Sequence, residues 1–392
     1  MHDPLDAAHL PPGVRARLLR HVNGLDMHLL EAGEAGRPLL LLLHGFPELA
    51  FSWRHVMVPL AEAGYHVVAP DQRGYGRTTG WTASFDGEIQ SFGPLNYVRD
   101  ALALVAALGH TEVASVIGHD FGSPVAGNCA ISRPDVFRSV ALMSAPYGGP
   151  RPWPRGEQPQ PEAAAGLASG GMNEALGRLD PPRKHYQWYY STREANENMW
   201  HARQGLANFI RAYYHHKSAD WAANTPFRLS AWTASELARM PTYYIMPAGL
   251  GMAETVAAEM PGAAEVAANG WLPEKDLAVY AMEYGRTGFQ GGLQSYRCTT
   301  SGLAAAEMRL FAGRRIEVPS CYIAGASDWG VYQKPGDFEA MQATACADLR
   351  GAHLVPGAGH WVQQEQPEAT VGLLLDFLRG QGAPRRRDGR SD

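Results

Sequence analysis

Long apolar runs, paired cysteines and an excess of positive charge are all missing from this chain of 392 residues. The strongest apolar run, Pro38 to Leu43, stops at His44-Gly45. That is far short of the roughly 20 residues that cross a bilayer, so no membrane segment is expected. The four cysteines, Cys129, Cys298, Cys321 and Cys346, show no C-x-x-C spacing. They argue against a paired-cysteine metal frame or a disulfide scaffold and read as thiols in a reducing compartment. No basic segment followed by an apolar one opens the sequence, so no secretion signal is read and a cytoplasmic location is expected. A formal charge of −5 gives no general affinity for nucleic acid or membrane. What is present is a composition 45% hydrophobic, enough to bury a full core in one large domain with an inserted subdomain.

Short apolar strands alternate with helical stretches at both ends of the chain. Met27 to Glu31, Leu39 to Leu43, His66 to Pro70, Val113 to Ile117 and Ser139 to Ser144 read as strands. Helical patterns fall at Trp53 to Ala63, Tyr97 to Leu108 and Ser123 to Ser132. The alternation resumes with strands at Val318 to Gly325 and Ala352 to Val355, and with helices near Asp337 to Thr344 and from Ala369 to Arg379. This pattern predicts an α/β fold, a mostly parallel doubly wound sheet with helices on both faces. Between the two parts lie proline- and glycine-rich residues and then aromatic helical stretches with little strand signal. The expected organisation is a core, first part, over residues 1–145, and a helical cap with a proline-rich leading loop over 146–303. The second part of the core follows over 304–380, and a disordered tail over 381–392, whose few arginines argue for no partner.

Three segments at strand ends carry chemistry. Gly118-His119-Asp120-Phe121-Gly122 stands between a buried strand and a helix, where a sharp turn lifts a reactive side chain above a sheet. Read alone, Asp120 serves equally well as a helix N-cap. As a nucleophile it is a carboxylate already ionised at neutral pH, suited to displacement at an sp³ carbon and poorly suited to amide cleavage. His44-Gly45-Phe46-Pro47-Glu48 follows the leucine strand, and the N–H groups of Phe46 and Phe121 are candidate oxyanion donors. Asp328 and His360 each follow a later strand, in the chain order nucleophile, acid, histidine. His360 is the candidate general base for water, with Asp328 orienting its ring. His119 and His353 are the nearest decoys, and His119 is expected to point away into a hydrogen-bonded position.

With these segments, the motif Asp71-Gln72-Arg73-Gly74-Tyr75-Gly76-Arg77-Thr78 and Gly359-His360-Trp361, the chain resembles the epoxide hydrolase branch of the α/β-hydrolase family, from about Asp26 to Leu378. The resemblance implies an α/β-hydrolase fold, a covalent ester intermediate on Asp120 and no metal or organic cofactor. It also implies two cap tyrosines that donate to the epoxide oxygen. Tyr186-Gln187-Trp188-Tyr189-Tyr190 is similar to the first tyrosine site, with Tyr189 the choice, and Tyr296 falls at the second. Tyr186, Tyr190, Tyr243 and Tyr244 stand as substitutes or pocket wall, and Trp188, Tyr190, Trp329, Trp361 and Pro47 are expected to line the substrate pocket. Phe121 departs from the pattern, which has tryptophan after the nucleophile. That weakens the haloalkane dehalogenase alternative, because the halide-cradling N–H beside the nucleophile is gone, leaving Trp188 or Trp329 to supply one. A fluoroacetate dehalogenase would need arginines just after Asp120, where Phe121-Gly122-Ser123-Pro124 has none. A ligand-binding homologue without catalysis would be expected to lack part of the Asp120, Asp328, His360 set. The expected partner is a small-molecule substrate, a bulky apolar epoxide, with secondary metabolism as its setting, and a homo-oligomer is compatible with the sequence.

Overall fold

The computed structural model describes residues 3–153 and 171–380; the expected tail and the part of the proline-rich loop from residue 154 onward lie outside them. The strands are β1 (Val14–Val22), β2 (Leu25–Ala32), β3 (Leu39–Leu43), β4 (His66–Pro70), β5 (Ser115–His119), β6 (Val140–Met143), β7 (Arg183–His185), β8 (Ile245–Pro247), β9 (Ser320–Gly325) and β10 (Leu349–Val355). Eight of them form one sheet in the order β1-β2-β4-β3-β5-β6-β9-β10. From β4 onward every neighbour is parallel, while β1 and β2 pair antiparallel at one side. This is the mostly parallel, doubly wound sheet expected from the alternation of elements.

The all-leucine strand shows why the sheet sits at the centre. Leu39, Leu41 and Leu43 point into one buried cluster with the helices Pro94–Ala107 and Gly122–Ser132. Leu40 and Leu42 point into another with Arg54–Glu62 and Pro367–Arg379. A strand covered on both faces has no use for polar alternation, and each leucine taken out of water contributes about 1.5–3 kcal/mol.

β1 was not expected. Its residues alternate between exposed and covered, and its arginines obscure the strand signal. Arg15 and Arg17 reach across to the buried carboxylate of Glu31 on β2, at 3.2 and 2.8 Å.

Between β6 and β9 the described residues are mainly helical, with β7 and β8 as a small antiparallel pair. This insertion packs over the carboxyl ends of the parallel strands. The Tyr214 hydroxyl donates to the Pro47 carbonyl and the Tyr284 hydroxyl to that of Glu48, both at 3.1 Å. Among the described residues no helix is long and apolar enough to cross a membrane, and all four cysteines are buried and unpaired.

Candidate active site

At the end of β5 the chain turns through Asp120 into the helix Gly122–Ser132. Asp120 has φ +51°, the left-handed region that a residue with a side chain enters only when its surroundings hold it there. The turn is also crowded. A Cβ on Gly122 would overlap the Leu43 carbonyl, and one on Gly45 would overlap the Asp120 side chain itself. Glycine at those positions lets the loop after β3 close on the carboxylate, and the Phe46 N–H donates to Asp120 Oδ1 at 2.9 Å. Phe121, the other expected oxyanion donor, leads the helix with its ring edge-on to Tyr97 at 5.3 Å.

Asp328, just beyond β9, and His360, beyond β10, complete the line. His360 Nδ1 lies 3.0 Å from Asp328 Oδ1, and its Nε2 lies 3.3 Å from Asp120 Oδ2. Burial alone would raise the Asp120 pKa, but the His360 ring and then the Lys217 ammonium outweigh it and hold the carboxyl below its ordinary value. Asp328 is lowered in the same way, burial being overcome by the His360 ring and the Ser144 hydroxyl. Ser144 was not anticipated. It follows β6 at φ +65° and places Oγ 2.9 Å from His360 Nδ1. Its only sequence signal was a serine closing an apolar strand.

Beside this line lies a second buried pair. His119 Nδ1 is 2.6 Å from Glu48 Oε2, and its Nε2 is 2.7 Å from the His360 carbonyl oxygen. A carbonyl can only accept, so Nε2 carries a proton, and with Glu48 ionised Nδ1 carries one as well, which makes the pair a cation beside a carboxylate. The shifts agree. Burial opposes, but Glu48 raises the His119 pKa, and His119 in turn lowers that of Glu48.

The insertion supplies aromatic walls. Tyr296 is edge-on to Phe46 at 5.5 Å and to Tyr186 at 5.9 Å. Burial, then the charge of Asp120, pushes both phenols well above their ordinary pKa, which keeps them neutral donors. Among the described residues nothing hydrogen-bonds the Tyr296 hydroxyl, while that of Tyr186 donates to Gln333 Oε1 at 3.2 Å and accepts from Gln187 at 2.9 Å.

Tyr189, the choice from sequence, is placed elsewhere. Its ring lies under the Lys184 ammonium at 4.4 Å, and its charged neighbours are Glu194 and Glu254. The helix Tyr186–Tyr190 explains the correction, since residues four apart share a face and Tyr190 packs on Phe46 at 5.1 Å and Tyr296 at 5.0 Å. Tyr186 and Tyr190 both meet Tyr296, but the Tyr190 hydroxyl is given to Tyr213, and Tyr186 is the one whose phenol feels the Asp120 charge.

The remaining pocket candidates divide. Tyr190 belongs to the Phe46 cluster. Trp361 stacks on Tyr214 at 4.1 Å, gives its N–H to the Tyr214 carbonyl and stands 4.6 Å from the His360 ring. Pro47 touches the insertion through its carbonyl. Trp329 packs against Phe227 at 4.8 Å, and the indole N–H groups of Trp329 and Trp188 have no hydrogen-bond partner among the described residues.

A sheet with an aspartate at the sharp turn and an acid–histidine pair at neighbouring strand ends defines a hydrolase. The sequence pattern of the alpha/beta hydrolase fold matches residues 38–367. Epoxide hydrolase A of Mycobacterium tuberculosis is 31% identical over 377 residues, covering 94% of this chain and 98% of that protein. The solved structure of an epoxide hydrolase from an endophytic Streptomyces superposes with a TM-score of 0.75 at 30% identity, over 95% of this chain and 97% of its own. That of epoxide hydrolase A from Mycobacterium thermoresistibile gives 0.72 at 30%, over 94% and 98%. The chain belongs to the α/β-hydrolase family, in its epoxide hydrolase branch.

Proposed function

We propose that this chain hydrolyses epoxides to vicinal diols through a covalent ester on Asp120. The observation that carries the reading is the Asp120 carboxylate itself, ionised, with one oxygen on the Phe46 N–H and the other 3.3 Å from His360 Nε2. In the first step an Asp120 oxygen attacks one ring carbon. The ring C–O bond breaks, its electron pair stays on the epoxide oxygen, and that oxygen is protonated with help from Tyr186 and Tyr296. Tyr186 takes this part in place of Tyr189. Substrate then replaces Gln333 as the acceptor of the Tyr186 proton.

In the second step His360 removes a proton from water, whose oxygen attacks the ester carbonyl of Asp120. The Phe46 N–H, with that of Phe121, steadies the oxyanion. Asp328 and Ser144 orient the imidazole, and collapse of the intermediate releases the diol and restores the carboxylate. The imidazolium protonates the departing diol oxygen, and the proton left on the new carboxyl returns to the tyrosine that gave up its own, so water is the only co-reactant. The aromatic walls around Phe46 suit a bulky apolar body on the substrate.

The test is the mass of the His360→Gln protein after incubation with epoxides and haloalkanes. Ester formation survives this substitution and hydrolysis falls by about 10²–10⁴. The expected result is an adduct of the full epoxide mass on Asp120. An adduct that has lost halogen would make the protein a dehalogenase. An unmodified Asp120, with diol still formed by the wild type, would overturn the covalent route.

A further inference from the structure

Two buried polar groups, Lys217 and Tyr244, count Asp120 among their charged neighbours and make no hydrogen bond in the two-step scheme, although the Lys217 charge helps keep Asp120 ionised. Lys217 ends the helix Leu206–Lys217 and is only 3% exposed. Its ammonium lies 5.2 to 5.7 Å from the ring centroids of Trp361, Tyr244, Tyr213 and Tyr243. Among the described residues no hydrogen bond or ion pair engages its N–H donors. Aromatic faces hold a cation by their quadrupoles but accept no directed hydrogen bond of ordinary strength, so the donors remain available. The residue is fixed close to the chemistry, because its carbonyl accepts the His360 N–H at 2.9 Å and the Asn224 side chain at 3.1 Å.

Tyr244 is 1% exposed, and its hydroxyl has no hydrogen-bond partner among the described residues. Its ring is 5.1 Å from that of Tyr186, and its carbonyl accepts the Tyr186 N–H at 2.9 Å. A buried ammonium therefore stands over the ring of a buried phenol, both without an acceptor, and that phenol's ring packs on the tyrosine assigned to the epoxide. Buried donors without acceptors are rare in folded proteins because each has forfeited its hydration. A purely hydrocarbon substrate would leave both in that condition.

We propose that Lys217 and Tyr244 form a second polar subsite, which hydrogen-bonds a neutral oxygen of the substrate, a carbonyl or an ether, distinct from the epoxide oxygen. This rests on the reading of the chain as an epoxide hydrolase and narrows it from apolar epoxides to oxygenated ones. A neutral acceptor is favoured over a carboxylate because Asp120 and Asp328 already act on Lys217. A third carboxylate brought into the same enclosure would meet their repulsion.

The experiment measures kcat/KM on epoxide pairs that differ only by a ketone in place of a methylene, the ketone set at increasing distances from the ring. One ketone should be preferred over its methylene partner by about three- to a hundredfold, the range for one buried hydrogen bond to a neutral or charged donor. Tyr244→Phe and Lys217→Met should each bring that ratio down toward one, whatever they do to absolute rates. Should Lys217→Met fail to fold, Tyr244→Phe, which deletes one oxygen, decides alone. Equal rates on every pair, or a preference that survives Tyr244→Phe, would overturn the subsite and leave the epoxide reading standing. An epoxy acid preferred over its methyl ester would overturn the neutral acceptor. Hydrolysis of no epoxide of either kind would overturn both readings.

Discussion

His360 and His119 stand side by side, their ring centroids 5.1 Å apart, and each meets a buried carboxylate through Nδ1. They differ at the other nitrogen. His119 Nε2 is tied to the His360 carbonyl, whereas His360 Nε2 has no hydrogen-bond partner in good geometry among the described residues and faces Asp120. Burial, a carboxylate and an imidazole are common to both, so none of these alone makes a base. The distinction is one ring nitrogen without a fixed partner. His119 is a structural cation that holds the loop after β3 against the His360 segment, and in the proposed scheme His360 is the proton acceptor.

The contrast is broken most severely from the Asp328 side. Asp328→Asn should slow decay of the covalent ester by about 10³–10⁴, because an amide no longer fixes the tautomer or steadies the imidazolium. Single-turnover decay measures this directly, and a loss below tenfold would mean that Ser144 alone orients the ring. Next comes the pair of tyrosines on one short helix. Tyr186→Phe should lower the rate of ester formation by about 10–10², while Tyr189→Phe should leave it within about twofold, as befits a ring under Lys184. The reverse order would restore Tyr189.

A small effect on rate, and the clearest on stability, is expected from Glu48→Gln. It leaves the His119 cation buried without its counterion, at a cost of about 3 kcal/mol, with kcat/KM kept within about tenfold. Its pH dependence comes from the two shifts. Glu48 is lowered in the fold, so its contribution is complete above the unfolded carboxylate range, about 4.3, and is lost as pH falls through the folded value. His119 is raised, so its contribution is complete below about 6.5 and is lost as pH rises through its folded value. Denaturant unfolding of both proteins across this range should show the largest gap between those limits, and a gap independent of pH would refute the charged pair.

Legibility in the sequence obeyed the same division. Leu39–Leu43, the turn at Asp120 and the residues after β9 and β10 could be read because each is decided locally, by a strand and the few residues next to it. β1 was hidden because an edge strand can carry arginines, and they make sense only with Glu31 in place across the ladder. Tyr186 and Tyr189 differ by which face of a five-residue helix meets Phe46, and no local rule settles that. Lys217 carries no local signal, because its cage is assembled in space from Tyr213, Tyr243, Tyr244 and Trp361.

One carboxylate joins the insertion to the core. Glu365 accepts the N–H groups of Gly359 and Trp361, which flank His360, and also that of Ala219 in the insertion. The segment 217–219 passes so near that a Cβ on Gly359 would overlap it. Insertions of this kind invite treatment as exchangeable parts in building new specificities. Here the seam runs through the support of His360, so a graft would have to carry residues 217–219 with their fit to Glu365 and Gly359. Diversification of the pocket, by design or by descent, has freer ground around Tyr186 and Tyr296 than along that seam.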